Sequence, residues 1–84
     1  MLDERQAREE DDISTILSRR EAEVLEMAAR GMTNAQIAEK LSVSVHAVKF
    51  HLAAVYRKLR AANRTEAVVL YLRAVTFGAQ GPQP

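Results

Sequence analysis

An all-α domain of four helices is the fold class this sequence predicts, and three observations predict it. Helix-start signals recur along the chain: Ser18 with Glu21, Thr33 with Gln36 and Asn63 with Glu66 each place a capping residue three positions before a side chain able to reach back to it. Behind them, apolar residues return every three or four positions, the period of a helix with one buried face. Residues that stop helices, Gly31 and the run Ser42, Val43, Ser44, separate the stretches.

Met1 to Asp12 is polar and charged with few apolar anchors, and it reads as a linker, a frayed helix or a disordered tail. The acidic segment is taken as residues 1–16, the folded domain as 17–76 and a flexible tail, marked by Gly78, Gly81, Pro82 and Pro84, as 77–84. The first helix opens at Ser18 and closes at Gly31. Val24, Leu25, Ala28 and Ala29 form its apolar side, with Arg19, Arg20, Glu23 and Arg30 outward, and Leu17 and Ala22 make a hydrophobic staple at its start. Met32 fills the core between this helix and the next. Thr33 begins the second helix, where Ile37, Ala38 and Leu41 fall on one side. Ser44 is suited to cap the third, from Val45 to about Arg60. After a connection that starts at Arg60, Asn63 or Thr65 starts the last helix, from about Arg64 to Val75. It is apolar over most of its circumference. That excess predicts a second buried face, most simply against an identical helix, through Val69, Leu70, Tyr71 and Arg73.

With 84 residues the chain is one small domain, and its 48% hydrophobic content is ordinary for a globular protein. So short a chain buries little more than about 60% of its unfolded surface, so a partner subunit would add stability. The absence of cysteine excludes disulfides, a thiol nucleophile and a zinc finger. No apolar run approaches the roughly 20 residues of a membrane span, and the acidic start is unlike a signal peptide, so a soluble, cytoplasmic protein is expected. His46 and His51, on one helix, point about 140° apart and do not share a metal without help. Glu21, Glu23 and Glu26 are placed on an exposed helix side, where ion pairs and solvation account for them. With no Gly-rich phosphate loop either, neither an enzyme nor a cofactor is expected.

The net charge of +1 hides an asymmetry. Residues 1–16 carry six acidic and two basic side chains, and from Leu17 onward there are ten basic and five acidic. The bias is steepest on the third helix, where Lys49, Arg57, Lys58, Arg60 and Arg64 occur between Val45 and Arg64 without one Asp or Glu. Val48, Leu52, Val55, Tyr56 and Leu59 gather on one side of it, and His46, Lys49, Phe50, Ala53 and Arg57 on the other. A solvated basic face is one reading. A helix seated between phosphate strands is the other, because cations there release condensed counterions. The preceding short helix and the three-residue turn give the geometry of a helix-turn-helix, which favours double-stranded DNA.

The residues Leu17, Ser18, Arg19, Arg20, Glu21, Glu23, Val24 and Leu25, then Gly31, Met32, Thr33, Asn34, Ile37, Ala38 and Leu41, continue as Ser44, Val48, Lys49, His51, Lys58, Leu59, Asn63, Arg64 and Ala67. Together they resemble the LuxR-type DNA-binding domain, also called NarL/FixJ-type or GerE-type, over about Leu17 to Val75. The resemblance implies a four-helix, helix-turn-helix bundle whose third helix enters the major groove and whose last helix dimerises. It implies a bacterial transcription regulator, with a sensory part such as the receiver of a response regulator outside this stretch. Position by position, it implies that Lys49, Phe50 and Ala53 meet base edges or nearby phosphates and that Val45 and His46 lie near the backbone. Thr33, Asn34, Ser44, Arg57, Lys58 and Arg64 complete the expected DNA-binding set. Lys49 suits guanine O6 and N7 or a phosphate, and Phe50 a thymine methyl. The implied partners are duplex DNA and a second copy, with RNA polymerase a further candidate.

There are three departures from the family pattern: Ala47 replaces a usual Thr, Ala54 a frequent Asn, and Arg60 with Ala61 a Gly and an aliphatic residue. The last departure predicts a third helix that runs longer. Two other readings stay open. One is region 4 of a sigma factor, which has a similar helix start and helix-turn-helix; the other is a helical protein-interaction module without DNA binding.

Overall fold

Each long helix of the domain begins where a side chain supplies an acceptor that the backbone lacks. The computed structural model describes residues 13–78. Its elements are a single turn, α1 (Ile13–Ile16), then α2 (Arg19–Ala29), α3 (Asn34–Leu41), α4 (Val45–Leu59) and α5 (Arg64–Arg73), followed by a π-helical turn, Ala74–Gly78. The Ser18 hydroxyl accepts from the Glu21 N–H at 3.1 Å, and the Glu21 carboxylate accepts from the Ser18 N–H at 2.9 Å. Thr33 and Gln36 repeat this reciprocal pattern at 3.1 and 2.8 Å. Ser44 Oγ accepts from the Ala47 N–H, and Asn63 Oδ1 from the Glu66 N–H, so Asn63 and not Thr65 is the cap of α5. Each cap satisfies a donor that would otherwise face water or a void.

The helix ends share a second device. At the end of α2, Gly31 has φ +88°, and the Met32 N–H donates to the Met27 carbonyl at 3.2 Å. Ser42 (φ 59°) does the same after α3, where the Val43 N–H reaches the Ala38 carbonyl, and Arg60 (φ 57°) after α4, where the Ala61 N–H reaches Tyr56. These left-handed closures satisfy carbonyls left over at the helix ends. The expectation of a longer α4 is therefore corrected: it stops at Leu59, because Arg60 takes the left-handed conformation even without being glycine. The last α-helix also stops short of Val75, at Arg73, where the chain widens into the π-helical turn. The readings of Met1 to Asp12 and of the tail beyond Gly78 lie outside the described residues.

Two adjoining apolar clusters hold the helices. Val24 and Ala28 of α2 meet Ile37 and Ala38 of α3 and Val48 and Leu52 of α4. Leu25 of α2 meets Leu17, Val55 of α4 and Ala67 of α5, with Ile13 packed on the edge, so packing begins ahead of Leu17. Neighbours in sequence, Val24 and Leu25 diverge by about 100° on the helix and so serve different clusters. Tyr56 and Val68 touch both. Val24, Leu25, Ile37, Val48 and Val55 are fully buried, and each removes apolar surface from water at a gain of roughly 1.5–3 kcal/mol.

Candidate nucleic-acid interface

The pairing of α3 with α4 across the turn at Ser42 exposes one long side of α4. Val48, Leu52 and Val55 point into the clusters, so the residues half a turn away must face solvent. His46, Lys49, Phe50, Ala53 and Arg57 are all exposed, together with Val45 at the first turn. Phe50 retains 69% of its accessible surface, the most among the large apolar side chains described, and its ring meets His51 edge-on at 5.6 Å. An aromatic ring so exposed makes no contribution to the core. No carboxylate among the described residues pairs with Lys49 or Arg57. The face is thus cationic, with an apolar ring set among the cations.

The other residues expected at this surface are engaged within the domain. Lys58 Nζ sits 2.8 Å from the Glu21 carboxylate. Glu21, expected on an exposed side, is buried instead: α2 turns it towards α4, where Lys58 reaches it. Burial by itself pushes that carboxyl up. The Lys58 hydrogen bond, the Ser18 N–H and the ammonium charge outweigh burial, and the net position is below the usual 4.5. Glu23 and Glu26 are half-buried and pair with Arg20 and Arg30. Arg64 donates from one guanidinium nitrogen to Asn34 Oδ1 and from the other to the Met32 carbonyl, each at 2.6 Å. The hydroxyls of Thr33 and Ser44 serve as caps, at the exposed N-termini of α3 and α4. Two partnerships thus escaped the sequence reading, Glu21 with Lys58 and Asn34 with Arg64. The capping pattern had drawn attention to Glu21, but no local signal joins residues so far apart in the chain.

On α5, Val69 and Arg73 are exposed, while Leu70 and Tyr71 are half-buried. Tyr71 packs on the second cluster, and burial, aided by the nearby Glu26 charge and opposed by Arg30, raises its hydroxyl above the usual 10.0. On α5 and the π-helical turn after it, the large apolar side chains left open to solvent are Val69, Leu72, Val75 and Phe77.

Residues 15–71, which run from α1 into α5, match the family described as "Bacterial regulatory proteins, luxR family". The chain belongs to the luxR family. Similar proteins carry regulator names. The "Nitrate/nitrite response regulator protein NarP" of Escherichia coli is 39% identical over 64 residues, which are 76% of this chain and 30% of NarP. The "HTH-type quorum sensing-dependent transcriptional regulator RpaR" of Rhodopseudomonas palustris is 47% identical over 62 residues, 74% of this chain and 24% of RpaR. The "Transcriptional activator protein RaiR" of Rhizobium etli is 50% identical over 50 residues, 60% of this chain and 21% of RaiR. The chain therefore spans less than a third of the length of these relatives. The family is one of regulators and not of enzymes. Membership of a family of transcription regulators supports the regulator reading of the sequence over the sigma-factor one. Among the described residues no helix is long and apolar enough to cross a membrane.

Proposed function

We propose that this luxR-family domain binds double-stranded DNA sequence-specifically as the DNA-binding part of a bacterial transcription regulator, with α4 in the major groove. The observation that carries the reading is the division of α4 into a buried side, Val48, Leu52 and Val55, and an exposed side with Lys49 and Arg57 unpaired. A helix of this width fits the major groove, where cations gain by counterion release and side chains reach base edges. Lys49, Phe50 and Ala53 face the bases in this reading, and Val45, His46 and Arg57 the flanking backbone. The domain does this work in the cytoplasm, where the chromosome is.

The domain acts as a dimer in this reading, through the outward side of α5. Support comes from Val69, Leu72, Val75 and Phe77, four apolar side chains left in water by a domain too small to cover them. Two copies related by a twofold axis would present two copies of α4 to successive turns of the groove. Selection of bound duplexes from a random DNA pool tests both parts. Enrichment of an inverted repeat with half-site centres about one helical turn apart is the expected result. Enrichment of a single unrepeated site would remove the dimer, and no enrichment would remove sequence-specific binding.

A further inference from the structure

We infer that Arg64 is a positioning residue, which turns the side-chain amide of Asn34 so that its NH2 group donates to a phosphodiester oxygen of duplex DNA. The inference rests on the DNA-binding reading above and assigns the backbone contact of the α3 side of the interface. Arg64 is the first residue of α5, yet its guanidinium reaches across to the start of α3. Its two terminal nitrogens hold Asn34 Oδ1 and the Met32 carbonyl, both at 2.6 Å. A guanidinium has donors only, so Asn34 must show it oxygen. The amide NH2 is thereby aimed away from Arg64, and no acceptor among the described residues takes it. The second tooth of the fork, on the backbone just ahead of the Thr33 cap, keeps the guanidinium from swinging and taking Asn34 with it.

A phosphate oxygen accepts only, and the half-buried Asn34 offers it a donor at the N-terminus of an eight-residue helix, where the backbone also favours negative charge. Lysine at position 64 would keep the charge. It lacks the planar fork, and it does not hold the two acceptors in one geometry. The charge of residue 64 and its positioning role are therefore separable by substitution.

The test measures binding of the full 84-residue chain to mixed-sequence duplex DNA over a range of salt, for N34A, R64K, the double variant and the unaltered protein. R64K and N34A are each expected to weaken binding about tenfold. The double variant is expected to be no weaker than either, because Arg64 acts through Asn34. The salt dependence should stay unchanged, since no cation is lost. Full affinity in R64K, or losses that multiply in the double variant, would overturn the proposal while leaving DNA binding intact. Absence of salt-sensitive binding by the unaltered chain would overturn the DNA reading and this one with it. Should R64K fail to fold, the Asn34 side-chain amide resonances of the unaltered chain decide: a shift on adding the duplex supports the contact, and unmoved resonances remove it.

Discussion

Lys58 on α4 places its ammonium 2.8 Å from the Glu21 carboxylate on α2, and that same carboxylate oxygen closes the cap of α2 at Ser18. One oxygen thereby ties the start of the first long helix to the end of α4. The two side chains are 10% and 37% exposed, so the pair is partly shielded from water and from screening.

Glu21→Gln should lower stability by about 1–2 kcal/mol at neutral pH, because it removes the charge from a largely buried hydrogen-bonded pair. The pH dependence has a definite sign. The folded pKa of Glu21 lies below 4.5, so the unfolded chain binds the proton more readily; the stabilisation is whole above 4.5 and is lost as pH falls through the folded value. Denaturant unfolding at neutral pH and at about pH 3 checks both statements. The loss between the two should be smaller in the variant than in the unaltered chain, and an equal loss would contradict the linkage.

Arg60→Gly should stabilise the domain by about 0.5–1 kcal/mol. Arginine at φ 57° carries left-handed strain that glycine does not, and the gain survives the greater freedom of glycine in the unfolded chain. A raised denaturation midpoint with an unchanged slope is the expected reading.

Lys49→Ala and Arg57→Ala should separate base reading from backbone contact. Loss of Lys49 is expected to cost about 1–3 kcal/mol on the preferred site and to relax the preference there. Loss of Arg57 should weaken all duplexes alike and reduce the salt slope by about one charge. Affinities over a panel of single-base variants of the selected site distinguish the two patterns.

Leu72→Glu should abolish self-association and leave the fold standing, because Leu72 is 46% exposed and outside both clusters. Surface changes of this sort alter stability within about 0.5 kcal/mol. Sedimentation reads the association and circular dichroism the fold; a dimer that survives the charge would move the interface elsewhere.

The helix starts were legible in the sequence because a cap is a local object: Ser18, Thr33, Ser44 and Asn63 each bond within three residues of themselves. The two sides of α4 were legible for a similar reason, since periodicity decides which residues share a face. The helix ends were less so. Gly31 announces a left-handed residue, whereas Ser42 and Arg60 adopt that conformation without being glycine. Least legible were Lys58 with Glu21 and Arg64 with Asn34, pairs set 37 and 30 positions apart, which exist only once α2 has packed on α4 and α3 beside α5. Charge counting had assigned Lys58 and Arg64 to the DNA along with Lys49. Tertiary structure gives those two cations partners inside the domain.

His46, Lys49, Phe50, Ala53 and Arg57 lie outside both apolar clusters. Substitution at these five positions therefore spares both clusters, and in the DNA-binding reading proposed above a lineage descending from this protein is free to exchange one target for another without passing through unfolded intermediates. Transplanting the same five side chains onto a sister scaffold, or a sister's onto this one, is a protein-engineering route opened by that separation.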